Sequence, residues 1–80
     1  MSSAAEIVKR IVVSVLLIDD AEYVDDHGPA QFETWDSLAT VTISTRIADQ
    51  LNIGFEPEEI VSIASIGDIK QLCRAKGLDL

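Results

Sequence analysis

Three segments of this sequence join a helix-capping residue to apolar residues at helical spacing, and this pattern constrains the fold most. Ser3 and Glu6 stand three positions apart, as in a capping box, and Ser65 and Asp68 repeat the spacing near the end of the chain. Asp36, between them, is a residue type that commonly caps helix N-termini. We therefore predict an all-α chain with three main helices.

The first predicted helix begins after Ser3. Its density of β-branched residues would also suit a buried strand. The length of the run and the cap at Ser3 favour a helix instead. The apolar residues that recur at helical spacing along it are Ile7, Val8, Ile11, Val12, Val15 and Leu16.

The second predicted helix runs from Ser37 to Leu51 behind the Asp36 cap, and Asn52-Ile53-Gly54 ends it. We expect Ile43, Ile47 and Leu51 to form its inward stripe, with Leu38 and Val41 on an adjoining line.

A short helix and a last main helix complete the prediction. The short one starts at Glu56–Glu59, where Pro57 suits the first helical position, and the last begins at Ser65 and ends at Gly77. The fold class expected is a small antiparallel bundle of three main helices plus one short helix, in one domain spanning residues 1–80. The predicted core is Ile11, Val15, Ile43, Ile47, Leu51, Ile66, Ile69 and Leu72, joined by Cys73.

Residues 19–34 are predicted to form a long first loop, which in so small a domain is often functional. The loop holds an acidic cluster, a Gly28-Pro29 turn and the only histidine. No second ligand stands at a suitable spacing from His27, so we expect an exposed loop histidine and no metal site.

The charge balance and the single cysteine limit the binding partners and the cellular compartment that we expect for the protein. Fourteen acids against 6 bases give a net charge of −8, which repels nucleic acid and anionic lipid but attracts basic protein patches. Cys73 is the single cysteine, so it cannot form an internal disulfide. The N-terminus lacks a signal-peptide pattern. The longest apolar run, Ile11 to Ile18, is too short to span a membrane. A cytoplasmic monomer without membrane insertion is expected.

Ser37 occupies an unusual position, the predicted start of the second helix. There its hydroxyl would lie near unpaired backbone N–H groups, a favourable place for a phosphate. A catalytic serine is not expected, because the sequence has no G-x-S-x-G motif and nothing indicates that His27 is oriented as a base. The plain alternative is that Ser37 only begins the helix after an Asp cap.

The motif "WDSL" at 35–38 stands in register with several other features of the chain. Val41, Ile43, Ile47 and Leu51 follow it, and then "EPEEI" and "SIGDIKQL". With the long first loop, the small size and the acidity, this arrangement resembles the acyl carrier protein family over nearly the whole chain.

The resemblance implies a carrier that is not an enzyme. In that family the serine of Asp-Ser-Leu holds covalently attached 4′-phosphopantetheine, whose thiol carries acyl groups as thioesters. By resemblance Ser37 is the attachment site for a phosphopantetheinyl transferase. Asp36 would help position the transferase and its metal–coenzyme complex, and Leu38 would contact partners. The remaining partners would be acyl-loading, acyl-transfer and condensing enzymes.

Departures from the family pattern point to a specialised pathway of lipid, polyketide or modified-sugar assembly. Phe32-Glu33-Thr34-Trp35 replaces an expected apolar residue and glycine. In the fatty-acid carriers of the family the exposed face of the second helix is usually acidic. By this resemblance the residues expected on that face are Ala39, Thr42, Thr45 and Ala48, and Arg46 adds a positive charge. The alternatives are an aminoacyl or peptidyl carrier and an unmodified helical protein-interaction module.

Overall fold

A computed structural model describes residues 3–80 of the protein and contains four α-helices, with no strand in that part of the chain. The helices are α1 (Ala4–Leu16), α2 (Ser37–Leu51), α3 (Pro57–Val61) and α4 (Ile66–Ala75). The prediction of a small all-helical bundle with three longer helices and one short helix is confirmed, and α1 is a helix rather than a strand.

The capping residues identified in the sequence bind the helix ends as predicted. The Oγ of Ser3 accepts a hydrogen bond from the N–H of Glu6 at 3.2 Å, and the Oγ of Ser65 accepts one from the N–H of Asp68 at 3.1 Å. Gly77, with a φ of 94°, follows the last turn of α4. Glycine adopts this left-handed conformation without steric cost, so the position suits the residue.

One apolar core joins α1, α2, α4 and the first loop. Its most completely buried side chains include Leu16, Ile43, Ile47, Ile66 and Ile69. Cys73 is buried among them, as predicted. The other predicted core residues, Val15, Leu51 and Leu72, are only partly buried and pack against the edge of the cluster.

The orientation predicted for the first turns of α2 is wrong. Leu38 and Val41 were expected to face inward, yet they are 72% and 47% exposed. Ala39, expected on the exposed face, is buried. Ser44 is buried too, and its hydroxyl donates to the carbonyl of Thr40 at 2.9 Å. Because this bond satisfies the hydroxyl, the face of α2 that carries Ala39 and Ser44 can pack against the core. Leu38 then faces the solvent.

The first loop is more ordered than a simple connection. It contains a short 3-10 helix, Asp20–Glu22. Two backbone hydrogen bonds tie the loop to the start of α4: the N–H of Ile66 donates to the carbonyl of His27 at 2.9 Å, and the N–H of Gly67 donates to that of Asp25 at 3.0 Å. These bonds satisfy two N–H groups at the start of α4 that have no partner inside the helix.

His27 is not the exposed loop residue that the sequence suggested. Its side chain is half-buried, its Nδ1 lies 2.8 Å from the carbonyl oxygen of Glu22, and its ring meets the ring of Phe32 edge-on at 5.5 Å. The histidine therefore packs the loop against the core, a contact between distant segments of the loop that sequence spacing does not reveal.

Candidate functional site

Ser37 is the first residue of α2, and the residues around it leave its hydroxyl accessible. Asp36, in extended conformation, accepts a hydrogen bond from the N–H of Ala39 on its Oδ1 at 2.8 Å. The Asp36 carbonyl accepts the N–H of Thr40 at 3.1 Å. Within residues 3–80 the exposed Oγ of Ser37 makes no hydrogen bond. The Asp36 cap is as predicted, and the Ser37 side chain remains exposed.

A groove of about 410 Å³ lies beside Ser37, between the start of α2 and α3. Both helices contribute apolar side chains, and the first loop contributes Pro29. The residues that line the groove are Pro29, Trp35, Asp36, Ser37, Thr40, Val41, Ile60, Val61 and Ile63. The groove is therefore an apolar surface adjoining one exposed hydroxyl and one carboxylate.

Trp35 forms part of this groove from within the core. It is 3% exposed, and its ring stacks on that of Phe32 with centroids 6.4 Å apart. Its Nε1 donates to the Oγ1 of Thr40 at 2.7 Å. Trp35 therefore lines the groove next to Ser37 with a side chain that lies almost entirely within the core. The sequence analysis did not identify Thr40, which accepts the hydrogen bond of the buried indole N–H.

Two exposed apolar side chains, Val41 and Val61, line the groove, and a third, Leu38, is the neighbour of Ser37 in the chain. Leu38, next to Ser37, is 72% exposed, Val41 one turn later is 47% exposed, and Val61 at the end of α3 is 83% exposed. Grouped apolar exposure of this kind is characteristic of binding surfaces. Val61 lines the same groove as Ser37, so its exposed side chain is part of the surface near Ser37.

An ion pair holds the short helix α3 that forms one wall of the groove. The Nζ of Lys76 lies 2.9 Å from the Oε1 of Glu59. The Glu59 carboxylate also accepts the backbone N–H of Glu56 at 2.7 Å. The bond from Glu56 is the main cause, and Lys76 the second, of a Glu59 pKa below its usual value. The contact with Lys76 joins α3 to the end of α4, and the bond from Glu56 lies within the start of α3 itself.

The remaining reactive residue types do not form a second centre. Burial raises the pKa of the Cys73 thiol, which disfavours the nucleophilic thiolate. Across residues 3–80, no group of three or more His, Cys, Asp and Glu side chains could hold a metal ion. Nor does that part of the chain contain a helix with the length and apolar character needed to cross a membrane.

We compared the chain with protein-family models and with curated proteins. No protein-family model matches the chain, and no curated protein matches it. Ser37 and its groove are therefore interpreted from their own chemistry and from the motif that contains them.

Proposed function

We propose that this protein is an acyl carrier in which Ser37 holds a 4′-phosphopantetheine arm. The observation that carries the proposal is the position of Ser37: an exposed hydroxyl at the first residue of the 15-residue helix α2, behind an Asp cap and beside an apolar groove. The Asp-Ser-Leu motif in register with the capped helices supports the same assignment.

The residues around Ser37 fit a phosphodiester chemically. Within the described chain, the backbone N–H groups of Ser37 and Leu38 make no hydrogen bond, since the Asp36 cap engages Ala39 and the helical bonds begin at Thr40. Unpaired N–H groups and the helix dipole both favour negative charge at this end of a helix. A phosphate on the Ser37 hydroxyl would therefore lie in a favourable field.

Each residue of the motif has a distinct role in this proposal. The Ser37 hydroxyl oxygen would bond to the phosphorus that bears the pantetheine arm of coenzyme A, as the phosphoanhydride bond breaks, adenosine 3′,5′-bisphosphate leaves and the hydroxyl proton passes to a base of the transferase. The arm then supplies a thiol that holds acyl groups as thioesters. Asp36 keeps α2 capped and offers its second carboxylate oxygen to the transferase and its metal–coenzyme complex. Leu38, next to Ser37 in the chain, and Val61, which lines the same groove as Ser37, present exposed apolar contacts to partner enzymes.

The partners proposed are a phosphopantetheinyl transferase and then acyl-loading, acyl-transfer or condensing enzymes of a specialised lipid- or polyketide-type pathway. The protein itself would be non-catalytic. The exposed face of α2 supports a specialised pathway, because it carries apolar and hydroxyl side chains and Arg46 with a single acid, Asp49. Enzymes that recognise a row of carboxylates on this helix would find few to bind.

A second candidate function is an unmodified helical interaction module. The exposed apolar group formed by Leu38, Val41 and Val61 supports it, since such a surface can bind a protein without any prosthetic arm. In that case the Ser37 hydroxyl would have no role beyond starting the helix.

Intact-mass analysis separates the two candidates. The protein is incubated with coenzyme A and a promiscuous phosphopantetheinyl transferase, and we expect its mass to rise by one phosphopantetheine group. Ser37→Ala should abolish the increase. Ser62→Ala, which changes an exposed serine after α3, is the matched control and should label like the unchanged protein. Unmodified wild-type protein, or equal labelling of Ser37→Ala, would contradict the proposal.

A further inference from the structure

Arg46 differs from every other cation in the described chain. Although acids outnumber bases by 14 to 6, Arg46 makes no salt bridge or side-chain hydrogen bond within residues 3–80. The other five cations are engaged by internal partners: Lys9 with Asp20, Arg10 with Glu6, Lys70 with Asp25, Lys76 with Glu59, and Arg74 with the carbonyl of Leu80. Among the cations that the structure describes, Arg46 alone therefore has no anionic or carbonyl partner.

A second arginine shares the groove that Arg46 lines. This groove, of about 190 Å³, lies between α1 and α2, with Arg10 contributed by α1 and Arg46 by α2. Arg10 reaches Glu6 only loosely, at 3.6 Å between two largely exposed side chains, so it can turn to another anion. Two guanidinium groups on one small groove repel each other unless a negative group lies between them.

The rest of the groove indicates which kind of anion fits. Ile7 and Ile11 give it an apolar floor, and Ser14 and Gln50 are neutral. The residues that line the groove lie within α1 and α2, and their backbone N–H groups are already hydrogen-bonded within the helices. The groove therefore lacks the free backbone N–H groups that typically bind phosphate. A glutamate side chain suits this groove, because its methylene groups can contact Ile7 and Ile11 while its carboxylate binds the guanidinium groups of the two arginines.

We infer that the Arg10–Arg46 groove receives a glutamate or aspartate side chain of a partner enzyme. A second copy of this chain is disfavoured as the occupant, because each copy carries a net charge of −8 and the copies repel. The partner would therefore present an acid to one edge of α2 while its active site faces Ser37 at the start of the same helix. The inference rests on the proposed function only in naming the partner as an enzyme that acts on the arm.

Binding of an acidic peptide tests the groove without the partner. The protein is prepared with ¹⁵N-labelled arginine, and the probe is an acetylated, amidated tetrapeptide of alternating glutamate and leucine. We expect the Nε–H resonances of Arg10 and Arg46 to shift with peptide concentration while that of Arg74 stays in place. Arg46→Gln should weaken binding by about two- to fivefold, the range of one exposed ion pair.

Four controls make the outcome decisive. Arg74→Gln changes the same residue type on α4 and should leave peptide affinity unchanged. The same peptide with glutamine in place of glutamate should produce no shift, and neither should inorganic phosphate at equal concentration. Ser37→Ala should bind the peptide normally, so this result and the phosphopantetheine labelling can fail separately. Absence of a shift, an equal response to phosphate or the neutral peptide, or undiminished binding by Arg46→Gln would overturn the inference.

Discussion

Gly28 lies so close to Ala64 that a Cβ atom at position 28 would overlap the carbonyl oxygen of Ala64. The obstacle is backbone, which cannot rotate aside as a flexible side chain can. We therefore expect Gly28→Ala to lower the free energy of unfolding by about 1–3 kcal/mol, as overpacking of a tight contact does. Urea denaturation followed by circular dichroism measures the change.

Gly54 provides the matched control for this substitution, because a Cβ atom there would meet no atom within 4 Å. Gly54→Ala should leave stability unchanged or raise it slightly, since alanine restricts the unfolded chain. Equal stability of the two variants would mean that the first loop does not press against the segment before α4.

Ile47 and Leu38 lie on opposite sides of α2. Ile47 is fully buried, so Ile47→Ala should cost about 2–4 kcal/mol through lost burial and the cavity left behind. Leu38 is 72% exposed, and Leu38→Ala should cost less than about 0.5 kcal/mol. The same denaturation series measures both, and a comparable loss for the two variants would show that α2 is rotated from the orientation described.

Tyr23, the only tyrosine, gives a pH dependence with a defined direction. Burial first, then the Asp25 carboxylate and the Cys73 thiol, raise its pKa from 10.0 to about 12. Because the unfolded chain releases this proton at lower pH than the folded chain, the stabilisation is fully present below about pH 10 and is lost as the pH rises toward 12. Alkaline denaturation of wild type and Tyr23→Phe isolates the effect from lysine titration. Parallel losses in both proteins would contradict it.

Local signals made the helix boundaries predictable from sequence. A cap such as Ser65 acts on Asp68, three residues away, so neighbouring residue types reveal it. The face that a residue turns inward depends on packing between elements. Leu38 was misassigned for this reason, because nothing near it in the chain records how α2 is rotated against α1 and α4.

The position of the first loop could not be predicted for a similar reason. The bonds from Ile66 to His27 and from Gly67 to Asp25 join segments that are far apart in the chain. Of the candidate site, the cap at Asp36 and the exposure of Ser37 follow from the motif. The groove beside Ser37 and the burial of Trp35 depend on where α3 and the loop come to rest.

Asp36 combines a structural and a proposed functional role, which two substitutions separate. Asp36→Ala removes the hydrogen bond to the N–H of Ala39 and should cost about 1 kcal/mol of stability. Asp36→Asn keeps a good capping residue and should be nearly as stable as wild type. If the carboxylate helps the transferase, both variants should be labelled more slowly than wild type. Wild-type labelling of Asp36→Asn would limit Asp36 to capping.

The final prediction concerns which enzymes would load the protein if it is the carrier proposed above. Asp20, Asp25 and Glu59 are paired with lysines, so the acids left for docking on the loop and α3 include Asp26 and Glu58. Charges at the rim of an interface act mainly on the rate of encounter, and salt screens them. Asp26→Asn and Glu58→Gln should therefore slow loading by the cognate enzyme, with the difference shrinking as salt increases.

The comparison is made between the enzyme encoded beside this protein and a malonyl transferase of housekeeping fatty acid synthesis. Both are offered the phosphopantetheinylated protein, and the malonyl transferase is also given its own carrier as a reference. We expect the malonyl transferase to load this protein more slowly than that carrier. The reason is that the exposed side of α2 carries Leu38, Val41 and Arg46 instead of the row of carboxylates that such a transferase would bind. Equal rates would show that the composition of α2 does not select the partner.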